Sequence, residues 1–177
     1  AGPVGTQAAL RITARLAFIF FWPAYAGPAL AALFGRRFAA LARRARAFGL
    51  SFAAALVVHL TLVAWLTWSG HAPSRATFAI FGVGVVCAAA LTLFSIPRLA
   101  ARLRPAAWRV LRTVATNVLM FDFAFDFFRP PPLTSLLRLA AYAPFQALVV
   151  AGVGLRLLTW IKPLVRPARA GAATPTA

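Results

Sequence analysis

Acidic residues are almost absent from this chain. Asp122 and Asp126 stand against nineteen Lys and Arg, a formal net charge of +17 over 177 residues. There is one cysteine, Cys87, so a disulfide within the chain is excluded and no zinc or iron–sulfur ligand set can be assembled. There are two histidines, His59 and His71. No phosphate-binding loop, no Ser–His–Asp set and no cluster of metal ligands appears, so nothing in the sequence supports hydrolytic or group-transfer catalysis, and the chain is not read as an enzyme.

Apolar residues are abundant instead. They make up 62% of the chain, against about 45–50% in an ordinary soluble domain, and the mean hydropathy is +0.82. So strong a positive charge can signal nucleic-acid binding. Here the arginines fall between long apolar runs rather than along one basic face, which excludes that partner and favours anionic lipid headgroups. The expected class is an all-α integral membrane protein, a bundle of about five transmembrane helices. The first apolar run is long and Arg-flanked and lacks a small-residue cleavage site, unlike a cleavable signal.

Five spans are predicted, at Leu16–Phe34, Phe48–Trp68, Ala76–Ile96, Ala107–Phe128 and Leu136–Ile161. Each is long enough to cross a hydrocarbon core of roughly 30 Å at about 1.5 Å per residue. Residues 1–15 are an N-terminal segment expected to be poorly ordered, and 162–177 a basic, small-residue tail expected to be flexible. Pro23 and Pro28 predict a kink in the first span. Between the first two spans, Phe34, Phe38, Leu41 and Ala45 recur at helical spacing opposite a basic side, the pattern of a short interfacial helix. Trp65 and Trp68 mark an interface. Gly84 and Ala88, and then Ala147, Ala151 and Gly154, form small-residue stripes of the kind that admit a neighbouring helix.

Orientation follows from the cations. Arg36, Arg37, Arg43, Arg44 and Arg46 crowd one loop, and Arg98, Arg102 and Arg104 another on the same side. The positive-inside rule puts these loops, and the C-terminus with them, in the cytoplasm, most simply across a bacterial inner membrane.

Few polar side chains fall inside the spans. His59 sits near the middle of Phe48–Trp68. An intramembrane histidine can ligate a haem iron or a chlorophyll magnesium or relay protons; equally, it can be a neutral imidazole bonded to a neighbouring helix. Depth counting makes Asn117 its candidate partner. Asp122 and Asp126, four apart on one helical face, read either as a proton or cation site or as ion-pair partners of Arg129 or Arg138. Arg112 is expected to snorkel, Cys87 to pack and His71 to be solvated.

The stretch ARRARAFGLSFAAALVVHLTLVAWL resembles the ferric reductase-like transmembrane domain family. Arg43–Arg44, Gly49–Leu50 and His59 match its arginine pair, helix start and first haem-ligand histidine. Leu91–Ser95, the loop 97–105 and Trp108–Arg112 match its next helix end, basic loop and ligand-bearing helix start. The resemblance implies a helical bundle holding b-type haem through histidines on two helices. Arg112 stands where the family pattern has a histidine, and Phe125 lies near the position of the next. The expected protein is therefore an accessory or scaffold subunit without its haem set, packed against other membrane protein subunits, in a bacterial redox or photosynthetic complex. The alternatives are an electron-transfer subunit holding haem b or another tetrapyrrole through His59, and a small proton-linked transporter using His59, Asp122 and Asp126.

Overall fold

The computed structural model describes the backbone of residues 3–129 and 136–165, and the side chains at 5–129 and 140–162. Among these residues seven helices follow one another: α1 (Pro3–Phe34), α2 (Arg36–Arg43), α3 (Ala45–Trp68), α4 (Arg75–Leu93), α5 (Pro97–Ala100), α6 (Pro105–Phe128) and α7 (Leu136–Val165). Among the described residues there is no strand. In a lipid interior this is the expected economy, because a helix satisfies its backbone N–H and C=O groups within itself.

Among the described residues four helices are long and apolar enough to cross a membrane: α1, α3, α4 and α7. This all-α membrane bundle is the architecture the composition implies, with one adjustment. The fourth expected span, now α6, has 24 residues and the length to cross, but Arg109, Arg112, Asn117, Asp122 and Asp126 leave it less apolar than the others. It can carry them because of its position. Ala115, Thr116, Leu119, Met120, Asp122 and Phe127 are buried against its neighbours.

α1 is the innermost helix. Phe18, Phe21, Tyr25 and Ala29 recur three or four residues apart and are all buried. Phe18 packs against Phe123, Phe127 and Phe145, with ring centroids 5.0, 5.0 and 6.1 Å away. Phe21 packs against Phe52 and Phe123 at 5.3 and 5.4 Å. These tilted and edge-on rings from α1, α3, α6 and α7 form the core. In lipid the attraction is contact and ring quadrupole rather than expulsion of water. α1 is helical through both prolines and begins at Pro3, well before the expected span start at Leu16. No glycine or proline interrupts residues 6–22, so nothing in that stretch stops the helix.

Gly35 turns the chain at a positive φ of 73°, and α2 doubles back along the end of α1. Leu41 seats over Gly27, where a Cβ would come within 3.2 Å of its Cγ. Phe38 stacks near Phe34 at 5.8 Å, while Arg36, Arg37 and Arg43 stay exposed. This is the amphipathic helix that the spacing predicts. Arg46 Nη2 then donates to the Ser95 carbonyl at 2.9 Å, joining the first basic segment to the end of α4 that precedes Arg98, Arg102 and Arg104. Lys162 Nζ donates to the Ala32 carbonyl at 3.2 Å. Both basic loops and the end of α7 thus share one end of the bundle. The turn 69–74, with exposed Trp65 and Trp68, His71 and the Ser74 cap that accepts from Thr77 N–H at 3.2 Å, forms the opposite end. The expected flexible tail lies, beyond Val165, outside the described residues.

Candidate functional site

A cavity of about 330 Å³ opens between α1, α3, α4 and α6, in the half of the bundle towards the 69–74 turn, and Pro73 of that turn is part of its wall. Most of the lining is apolar: Leu56, Val63, Phe78, Phe81 and Leu119 among others. Into this lining come His59 from α3 and Asp122 and Asp126 from α6, with Arg11 from α1. The chain's two acids and its one intramembrane histidine therefore share a single chamber.

His59 is held by α1. Its Nδ1 lies 2.9 Å from the Thr13 hydroxyl. That hydroxyl also lies 3.0 Å from the Ala9 carbonyl and 3.1 Å from that of Leu10. A threonine has one hydrogen to give; where a carbonyl takes it, Nδ1–H of the neutral ring donates to the Thr13 oxygen. Nε2 then carries the lone pair. The chamber is lined by an imidazole anchored to α1 through Nδ1.

Asp122 is 7% exposed and packs against α4 at Gly84. A Cβ on residue 84 would stand 3.0 Å from the Asp122 Cγ and would overlap Oδ2 outright. Gly84 and Ala88 are both buried, so this stripe is used inside the chain, between α4 and α6. Asp126 is exposed, one turn further along the helix. The charged groups that bear on it are Arg129 and Arg15. Arg129 also covers the Phe125 ring at 5.4 Å, and Arg15 covers Tyr142 and Phe145 at 4.9 and 5.4 Å. The Arg138 side chain lies outside the described residues. The two acids thus have different surroundings, a guanidinium-lined rim for Asp126 and an apolar wall for Asp122.

Asn117 is not beside His59. Its Oδ1 accepts from the Tyr25 hydroxyl at 3.0 Å, and its Nδ2 donates to the Thr113 carbonyl at 2.9 Å. The depth count goes astray because α3 and α6 are offset. Phe52 and Phe123 are in contact at 6.1 Å, so His59, seven residues further along α3, is level with the far end of α6, beyond Asp126. Asn117 is level with the beginning of α3.

The eight arginines of the basic loops lie away from the chamber, at the other end of the bundle. Cys87 is partly buried and packs against the core. His71 is exposed, with Nδ1 3.0 Å from the Ser69 carbonyl. The two histidines therefore do not face one another, and a haem held by two imidazoles of this chain does not fit. Among the described residues no group of three His, Cys, Asp or Glu is placed to hold a metal ion.

Thr13 and Gly84 are the members of the site that sequence reasoning did not find. Thr13 falls before the expected span, and the one signal for it is the unbroken helical stretch around it. Gly84 was legible as a packing residue, but not as the seat of a carboxylate.

No protein-family model, no curated protein and no solved structure matches the chain.

Proposed function

We propose that this protein is a small proton-linked carrier of cations, working through the chamber between α1, α3, α4 and α6. The observation that carries the reading is the convergence of His59, Asp122 and Asp126, from two separate helices, on one apolar chamber. Ionisable groups in membrane interiors are costly, and those that face a cavity commonly belong to a proton or solute path. About 330 Å³ is within the range of small-molecule sites, roughly 300–1,000 Å³. A carboxylate in an apolar wall takes either a proton or a cation, and the two exclude each other. A cationic solute that settles on Asp122 displaces its proton, and the imidazole of His59, which lines the same chamber, is a group that can receive it. Exchange of one for the other is antiport. In this reading the basic end faces the cytoplasm of a bacterium, held by anionic lipid.

The test is reconstitution into liposomes with an enclosed pH dye, using ethidium as the aromatic cation. Wild-type protein should couple ethidium entry to proton release, and Asp122→Asn should abolish the coupling while keeping the fold. Proton and ethidium movements no faster than in protein-free liposomes would dispose of the reading.

A second reading, an accessory subunit of a larger membrane complex, is supported by α7. Ala147 and Ala151 are exposed there and Gly154 has open space where a Cβ would stand, next to exposed Val150 and Leu158. Such a face suits a neighbouring membrane helix. The loose resemblance to ferric reductase-like domains suggests a redox complex as the host, with His59 the single imidazole available to a tetrapyrrole. Purification in mild detergent separates the readings, because an accessory subunit brings stoichiometric partners with it and a carrier does not need them.

A further inference from the structure

The other half of the bundle contains a second polar cluster that the chamber does not involve. Arg156 of α7 lies with its guanidinium 4.0 Å from the centre of the Tyr25 ring, and its Nη1 donates to the Thr116 hydroxyl at 3.1 Å. The Thr116 hydroxyl donates onward to the Arg112 carbonyl at 2.7 Å, so it accepts from Arg156. Tyr25 spends its own hydrogen on Asn117. A guanidinium has five N–H donors in a planar fork, and the hydrogen bonds among the described residues engage one of them.

No acidic side chain is at hand to balance this charge. Asp122 and Asp126 stand six and ten residues beyond Thr116 along α6, so even the nearer is roughly 9 Å away along the axis. Both belong to the chamber on the α4 side. Among the described residues, the charge that bears on it is a second guanidinium, that of Arg112, one turn before Thr116 on α6. Two cations of like sign, one partly buried against α1 and α6 and the other exposed, thus bear on each other with no acid between them.

We propose that Arg156 and Arg112 form a binding site for a phosphate-type anion, entered from the basic end of the bundle. A guanidinium fork matches phosphate oxygens in pairs, and its open donors have no partner among the described residues. The exposed Arg112 forms the mouth and the Tyr25 ring the back wall, where it holds the Arg156 plane in position. The same chemistry is presented by the phosphate of an anionic lipid headgroup and by a free phosphate ion. The site is independent of the chamber, and neither proposal needs the other.

The experiment uses the full chain in a neutral detergent. Its thermal unfolding is followed during titration with phosphatidylglycerol, with phosphatidylcholine, and with inorganic phosphate at constant ionic strength. Wild-type protein should be stabilised by phosphatidylglycerol or by phosphate, but not by phosphatidylcholine. Arg156→Gln should weaken that binding roughly tenfold, as loss of a charge-assisted pair of bonds does. Arg112→Gln should weaken it less, and Arg75→Gln, at the opposite end of the bundle, not at all. A response to phosphate identifies a free anion, and a response to phosphatidylglycerol alone identifies a lipid headgroup. Unchanged affinity for both in Arg156→Gln overturns the site. Should that variant not fold, Arg112→Gln is read in its place, and unchanged affinity there is equally fatal.

Discussion

The Asp122 carboxylate occupies the space that a side chain on Gly84 would fill. The acid on α6 and the glycine on α4 form a matched pair, and α4 and α6 pack as closely as they do because residue 84 has no Cβ. Gly84→Ala should therefore destabilise the bundle by about 1–3 kcal/mol, the cost of overpacking a filled interior. Thermal unfolding in detergent measures it. In Gly84→Ala/Asp122→Ala the penalty should shrink, since the colliding atoms are gone, and strictly additive losses would show that the two residues do not compete for the same space.

Thr13→Val keeps the shape of residue 13 and removes the hydroxyl that His59 Nδ1 meets at 2.9 Å. The loss of one partly buried hydrogen bond should cost about 1 kcal/mol. The sharper readout is nitrogen NMR of the histidine rings. Wild-type His59 should be a single neutral tautomer protonated at Nδ1, and the variant should populate both. A wild-type ring protonated at Nε2 would contradict the assignment.

Trp22 Nε1 donates to the Leu148 carbonyl at 2.6 Å, tying α1 to α7 across 126 positions of sequence. Trp22→Phe should lower stability by about 1 kcal/mol, somewhat more if the smaller ring leaves a void. The spectroscopic check is a red shift of indole emission on unfolding that Trp22→Phe diminishes.

On the outer face of α7, Gly154→Leu fills open space rather than meeting another atom. Stability of the isolated chain should change by less than about 0.5 kcal/mol. If this face docks against another membrane subunit, co-purification with that subunit should be lost. Retention of partners by Gly154→Leu would move the docking surface elsewhere.

Much of the architecture was legible because lipid simplifies the code. Long apolar runs between arginine clusters announce helices, and charge counts announce which ends belong together. α2 was readable from Phe34, Phe38 and Leu41, because their spacing leaves one apolar stripe on a basic helix. Lateral arrangement was not readable in this way. His59 and Asn117 looked like partners when depth was counted from span ends. Packing sets the offset between helices, and a few residues of offset separates groups of apparently equal depth. The start of α1 was missed for a related reason. Residues 5–15 are not apolar enough to announce a span, yet they continue the helix and supply Thr13. The chamber itself depends on four helices at once, and no local pattern encodes that.

The placement of α1 has a consequence for how the protein is made. α1 is synthesised before the six helices described after it, and its neighbours include α7, the last of those six. Phe18 cannot meet Phe145, nor Trp22 the Leu148 carbonyl, until α7 has been inserted. Until then the aromatic side of α1 that α7 will cover must face lipid or a chaperone. A chain that stops before α7 should therefore be an early target of membrane quality control, even though its earlier helices are already inserted.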